Sequence, residues 1–387
     1  MTDVDAAADG PWDVVVIGAG PAGGMTALLA ARAGLRTLIV DRAAFPRHKV
    51  CGCCMAPLGQ RVLCEAGLGD LMGPPNSLCL SKLQARRAQR CCGIEVPAYR
   101  TISRSELDSG LLSAAEDAGA AAITGVHARI EPGLRGVLLR SRDRASRAAA
   151  RAIVVADGIG GKSAADVPGL AWRIDPRSRV GIGGVVNQAP IGVRADAVTM
   201  SVDRAGYVGV ASLPDGAWAV AGAVSKRLIQ THGPSGALAT VAASCGVGFG
   251  VLEARQLAGT APLTRWRRGL EAGGRVFVVG DAGGYVEPFT GEGMSWALAG
   301  AAELTPLLRD VARGGYHAGT WTRRVRRRIG PRKRACRLVA SALRSERVTA
   351  ASFTASRAFP ALGRACAELA VGPRVDRVGR LSPEPVT

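Results

Sequence analysis

The chain has 387 residues, 48% of them hydrophobic and 21% charged. That is the balance of a globular protein with a large core, and it excludes fibrous and disordered classes. The formal net charge is +19, carried mostly by arginine beside only five lysines; coding bias toward G and C accounts for part of such an excess. No uncharged apolar run reaches the length of about 18 residues that a bilayer span needs. The start, "MTDVDAAADG", is acidic and unlike a secretory leader. A cytoplasmic protein with reduced thiols is expected.

Residues 12–41 read "WDVVVIGAGPAGGMTALLAARAGLRTLIVD". Val14–Ile17 is a β-branched run typical of a buried parallel strand. Gly18, Gly20 and Gly23 follow at G-x-G-x-x-G spacing, with Pro21 and Ala22 between the last two. Met25, Leu28, Leu29 and Ala33 then recur at helical spacing, and Thr37–Val40 forms a second strand closed by Asp41, with Arg42 next. The glycines allow a tight turn, close approach to a pyrophosphate and tight helix–strand packing. The helix start offers free N–H groups to phosphate, and Asp41 is placed to accept from a ribose. The ordered set predicts dinucleotide binding.

The next stretch, "FPRHKVCGCCMAPLG" at 45–59, crowds Cys51, Cys53 and Cys54 together. Metal ligation, a redox C-x-x-C pair and free thiols beside a cofactor are three open readings. Paired knuckles are missing, since the next pair is the adjacent Cys91-Cys92. Residues 78–100 add a strand or two, and a helix follows Arg104, with Leu107, Leu111, Leu112 and Ala115 on one face. Residues 151–166 repeat the strand-and-turn logic and end in Asp157-Gly158 and a glycine turn.

Alternation, with a Pro-Asp-Gly turn at 214–216, predicts an antiparallel sheet across 172–272. A buried strand then runs into Gly280-Asp281, and a helix starts near Gly291, its apolar face marked by Met294, Ala297, Leu298, Ala301, Leu304 and Leu308. Beyond it lies the basic run "RRVRRRIGPRKRACR" at 323–337, then a stretch expected to be helical in pieces broken by Pro360.

These motifs, in this order over about residues 12–310, resemble the glutathione-reductase-type FAD fold of para-hydroxybenzoate hydroxylase-like monooxygenases and geranylgeranyl reductase-like enzymes. The resemblance implies an α/β protein: a Rossmann-like FAD-binding domain, an antiparallel β-sheet substrate domain and a helical C-terminal segment. It divides the chain into 1–77, 101–171 and 273–312 for FAD, 78–100 and 172–272 for the substrate sheet, and 313–387 for the basic helical end. It implies that Asp281 bonds the ribitol, that Asp157 and Gly158 lie by the pyrophosphate, and that Arg104 contacts the cofactor.

"PFTGEG" at 288–293 would point a helix start, formed by Pro288, Gly291, Glu292, Gly293 and Met294, at the flavin edge where reduced flavin is anionic. "FPRHKVCG" resembles the P-x-x-K-x-C-G segment of the reductases, which places Cys51 and Gly52 near the flavin ring and Arg47 and Lys49 as positive charge around it. The other cysteines become small buried residues. His48 is the candidate base in this segment.

The reductases' aromatic stretch Y-x-W-x-F-P corresponds to "GYVGVASLP" at 206–214, where Tyr207 and Pro214 match but Trp and Phe are absent. That gap favours an NAD(P)H-dependent monooxygenase acting on a small aromatic or polyketide-like molecule. Reduction of a lipid or isoprenoid C=C bond is the alternative. A flavoprotein acting mainly through its basic end, on a membrane surface or nucleic acid, is a third reading. Aromatic residues are not interleaved with the basic run, so nucleic acid is not expected. The expected partner is a small apolar or aromatic substrate, with peripheral membrane contact compatible with a lipid-like one.

Overall fold

The computed structural model describes residue 7 and residues 10–88, 90–250, 257–287, 289 and 291–358, the last three for their backbone alone. In chain order the elements begin β1 (Trp12–Ile17), α1 (Pro21–Arg32), β2 (Thr37–Asp41), β3 (Cys54–Met55), α2 (Pro57–Glu65), β4 (Leu78–Arg87), β5 (Arg90–Thr101) and α3 (Arg104–Asp117). They continue with β6 (Ala121–Thr124), β7 (His127–Ile130), β8 (Gly136–Arg140), β9 (Ala145–Val155), β10 (Trp172–Ile174), β11 (Val180–Val186), β12 (Ala197–Asp203), β13 (Gly206–Ser212), β14 (Trp218–Val224) and α4 (Lys226–Ala243). The last part holds β15 (Leu257–Pro262), β16 (Arg265–Arg267), β17 (Glu271–Ala272), β18 (Val276–Val278), β19 (Gly284–Tyr285), α5 (Gly293–Ala312), α6 (Thr320–Arg328), α7 (Gly330–Ala342) and α8 (Glu346–Ala358).

The β-branched run at Val14–Ile17 becomes the centre of a parallel sheet. It pairs on one side with Thr37–Val40 and on the other with Ala152–Val155, giving the order β17-β18-β9-β1-β2-β6, in which only the edge strand β17 is antiparallel. Both faces are covered, which is why these strands carry near-continuous apolar sequence. One face packs Leu28, Leu107, Leu111, Leu298 and Leu304 from α1, α3 and α5. The other packs against Ile130, Val137 and Leu139 of the β7–β8 ribbon. The strand ends of β1, β9 and β18 therefore open at one edge, where Gly18, Asp157 and Asp281 follow them.

A second eight-stranded sheet has the order β15-β11-β14-β13-β12-β4-β5-β3. β4 and β5 are two of its strands. The strands within 172–272 pair antiparallel, and the one parallel seam joins them to β4, Lys82 opposite Ala197. A correction concerns α4, which interrupts the run of strands and packs Leu238 and Val241 against Val208 and Val220. Gly233, at φ 68°, and Pro234 kink it, so no single helical stripe was long enough to read.

The helix expected near Gly291 begins at Gly293, because Gly291 sits at φ 68°, outside helical space. The basic end docks on the body. Trp321 is buried and donates to the Val278 carbonyl at 2.9 Å, and Lys333 donates to the Gly284 carbonyl at 2.7 Å. The buried Glu287 carboxylate is held between Arg179 and Arg344. Pro360 lies outside the described residues. No described helix is long and apolar enough to cross a membrane.

Candidate active site

The turn after β1 fits only glycine. A Cβ on Gly18, at φ 102°, would lie 2.6 Å from the Ala156 carbonyl oxygen, and one on Gly23 would lie 1.7 Å from that of Gly18. Helix α1 therefore starts hard against the strand ends. Its N-terminus has no side-chain cap and has Pro21 in its first turn, so its N–H groups are left for a ligand. Ala22 is packed below, touching the space over Gly280. Above Gly20 the nearest groups are two guanidinium nitrogens, Arg47 Nη2 at 3.6 Å and Arg104 Nη2 at 3.7 Å from a built Cβ.

One residue that sequence reasoning missed organises those arginines. Asp108, fully buried, takes a two-pronged bond from Arg104 at 3.0 and 2.7 Å and an ion pair from Arg47 at 3.2 Å. The signal was present as an Arg-x-x-x-Asp pair one helical turn apart. Asp41 accepts the Ala19 N–H at 2.7 Å and faces Arg47 at 3.5 Å. Arg47 Nε has no partner. Lys49 reaches over the second motif, its Nζ lying 2.8 Å from where a Cβ on Gly158 would stand. Asp157 uses one oxygen on Ser163 and leaves the other, Oδ1, buried without a partner. The glycine cradle, open helix start, clustered cations and orphaned polar atoms fit a bound dinucleotide.

Beyond the cradle is a cavity of about 730 Å³ between the second sheet, the start of α5 and helices α7 and α8. Cys51, Gly52, Arg104, Asp281, Gly291, Gly293 and Met294 line its floor. On β13 and β14, Tyr207, Gly209 and Ala221 face it while Val208 and Val220 turn to α4, so strand alternation leaves glycine and alanine on the cavity side. Leu83, Ile94, Val96, Val198 and Leu263 extend the apolar wall. Tyr99, Tyr207 and Tyr285 supply phenols that burial keeps protonated well above their ordinary range. The Tyr207 hydroxyl has no hydrogen-bond partner.

Cys51 lies on the floor with its Sγ 3.9 Å from Met294 Sδ and accepts the Cys53 N–H at 3.3 Å. The hydrogen bond from the Cys53 side chain and the nearby Arg104 bring its thiol down to about 6, against burial, which raises it. Burial and the Cys51 charge push Cys54 up to about 12. None of the nine described cysteines forms a disulfide with another. The expectation that the others are buried is corrected for Cys64, Cys79 and Cys91, which are exposed on α2 and on the β4–β5 hairpin. Among the described residues no group of three or more His, Cys, Asp or Glu is placed to hold a metal.

Asp281 follows β18 into a short turn, and the protein crowded around it raises its carboxyl while Lys49 and Lys333 oppose that rise. Lys333, from the basic end, was not read as a site residue; burial lowers its ammonium to about 8. Several sequence candidates stand apart from the cavity. His48 and Arg42 are exposed and do not line it: where Arg47 turns inward to Asp41 and Asp108, His48 turns out. Glu292 is buried at the start of α5, but its neighbours Gly291, Gly293 and Met294 line the cavity and it does not. Pro288 lies outside the described residues.

The model of the FAD binding domain family matches residues 11–321. The chain belongs to that family. It stands within the superfamily of FAD-dependent oxidoreductases. It is similar to the menaquinone reductase of Mycobacterium tuberculosis, 36% identical over 157 residues, which cover 39% of this chain and 38% of that protein. It is also similar to the geranylgeranyl diphosphate reductase of Rhodobacter capsulatus, 29% identical over 167 residues, covering 41% of this chain and 40% of the relative. The matched stretches thus span well under half of those relatives. A flavoprotein/dehydrogenase from Cytophaga hutchinsonii shares the fold, with a TM-score of 0.80 at 17% identity over 94% of this chain and 93% of that one.

Proposed function

We propose that this flavoprotein reduces a C=C bond in a long apolar substrate of isoprenoid type. The carrying observation is the cavity wall, predominantly apolar and lined by no histidine among the described residues, with the Cys51 thiol on its floor. Hydroxylation of a phenol calls for a base at the ring oxygen, and His48 is exposed, away from the cavity. The likeness to two reductases of isoprenoid-bearing molecules supports the same reading.

In this reading FAD is held by Gly18, Gly20, Pro21, Ala22 and Gly23 at its phosphates, by Asp41 at the adenosine ribose, and by Asp281 with Gly280 at the ribitol. Arg47 and Arg104, fixed by Asp108, balance the phosphate charge, and Lys49 with Asp157 and Gly158 closes the other side. The bound flavin supplies the two electrons of the reduction, and NAD(P)H is the proposed donor that replenishes them. The N-terminus of α5, at Gly293 and Met294 on the cavity lining, would favour negative charge on a flavin held there. Cys51 holds a proton at its Sγ, delivers it to the substrate carbon, and regains one from solvent. Its thiol, brought down to about 6, gives up that proton readily, so the step draws on the protonated fraction and should slow as pH rises above that value. The apolar wall orients the chain of the substrate and excludes water, and the unpartnered Tyr207 hydroxyl donates to its polar end.

The test is product mass. Anaerobically reduced protein mixed with a polyprenyl lipid or prenylated quinone should yield a product heavier by two hydrogens. Addition of one oxygen atom to a phenolic substrate, after admission of air, would replace this reading with monooxygenation.

A further inference from the structure

The cavity is not sealed. Ala351 and Ser352 of α8 line it and are solvent-exposed, so it reaches the surface along that helix. One turn earlier on the same face stand Arg347 and Val348, Val348 being 45% exposed. On α7, Leu338 is 73% exposed, one turn before the cavity-lining Ala342, with Arg334 one turn earlier still. Leu338 and Val348 are two of the five large apolar side chains exposed among the described residues. Arg334 and Arg347 make no ion pair among the described residues. Residues 323–357 carry twelve arginines and lysines against one acidic residue, Glu346. The helices are anchored through Glu287, Trp321 and Lys333, so this face is a fixed platform and not a solvated tail.

We propose that the α7–α8 face, with Arg334, Leu338, Arg347 and Val348, docks on an anionic lipid bilayer and sets the cavity mouth against the membrane surface. The inference rests on the reading of an apolar, lipid-borne substrate, which would then enter the cavity without crossing water. Each cation near such a surface adds electrostatic attraction that salt screens, and each apolar tip adds insertion that salt does not weaken. A mixed rim of both is the chemistry of a lipid interface. A nucleic-acid surface would need no exposed Leu338 or Val348 beside its arginines.

The experiment is flotation of the FAD-loaded full chain with vesicles of phosphatidylcholine alone or mixed equally with phosphatidylglycerol, without substrate. Binding to the mixed vesicles and little to the neutral ones is expected. Replacing both Arg334→Gln and Arg347→Gln should weaken it about 30-fold, on the order of fivefold per charge. Leu338→Asp or Val348→Asp should weaken it at every salt concentration. The control pair Arg142→Gln with Arg177→Gln removes equal charge from exposed positions elsewhere and should leave binding in place. Equal losses in the control pair, no vesicle binding, or release from vesicles by duplex DNA at physiological salt would overturn the proposal. Because no turnover is measured, failure here leaves the product-mass test of the reduction standing on its own.

Discussion

Cys53 donates its backbone N–H to the Sγ of Cys51 across 3.3 Å, and does so from a left-handed backbone at φ 55°. A non-glycine residue held there is strained, and the turn it makes directs both its N–H and its thiol back at Cys51. The Cys51 thiol falls to about 6 from its ordinary 9.0. Alkylation of Cys51 by iodoacetamide, followed by peptide mass analysis, should therefore titrate near 6. In Cys53→Ala, which keeps the N–H and loses the thiol, the midpoint should rise toward that ordinary value. The folded state's lowered value means that the thiolate stabilises the fold fully above the unfolded value. That contribution is lost as pH falls through about 6. An unchanged midpoint in Cys53→Ala would assign the shift to Arg104 instead.

Asp108 is the common partner of Arg47 and Arg104. Asp108→Asn keeps the shape and removes the charge, so the two arginines lose their fixed direction. FAD content after gel filtration should fall at least as far in Asp108→Asn as in Asp281→Ala, with a loss of about 3 kcal/mol in stability from the unpaired buried cations. Full FAD content in the Asp108 variant would make it a purely structural residue.

Glu292 is buried with neither carboxylate oxygen hydrogen-bonded, and burial raises it to about 7, with the Arg332 charge opposing that rise. Its folded value lies above the unfolded one. Stability is therefore whole below about 4.5 and declines as pH rises to about 7, by up to about 3 kcal/mol. Glu292→Gln should remove that slope and melt higher than the parent at pH above 7. Thermal unfolding of both proteins across this range is the measurement, and parallel pH profiles would exclude Glu292 as their source.

Ala221 faces the cavity from β14, opposite Gly183 and Gly209 on its two neighbouring strands. Ala221→Leu adds three carbons to the cavity side of a sheet whose other face is untouched. Long polyprenyl substrates should show KM raised about tenfold or more while short ones are little changed, and FAD content should stay at the parent's level. Equal effects on both lengths would place the substrate chain elsewhere.

Much of this site was legible in the chain because its parts are local. Gly18, Gly20 and Gly23, the strands on either side of them, and the Arg104 helix each declare themselves within one or two turns of sequence. The cavity did not, because its wall is assembled from strands far apart, and an alternating run does not say which face meets which partner. Lys333 shows the same limit: in the sequence it is one cation in a basic run, and only the docking of α7 on β19 brings it beside Asp281. His48 illustrates the converse, a residue type suited to catalysis whose loop turns it to solvent.

The seam between β4 and β12 has a consequence during synthesis. Lys82 finds Ala197 as its neighbour, so the β4–β5 hairpin leaves the ribosome more than a hundred residues before its partner strand exists. Until then β4 presents a bare edge with Leu83 and the remaining ladder groups unpaired, the kind of edge that recruits strands from other chains. The parallel sheet waits longer still, since β18 at Val276–Val278 completes its pairing with β9. A nascent chain halted between those points would be sticky, and a fragment comprising residues 172–272 alone would expose the matching edge of β12. Good yields of this flavoprotein should thus depend on uninterrupted translation and on chaperones that shield strands, more than on the stability of the finished fold.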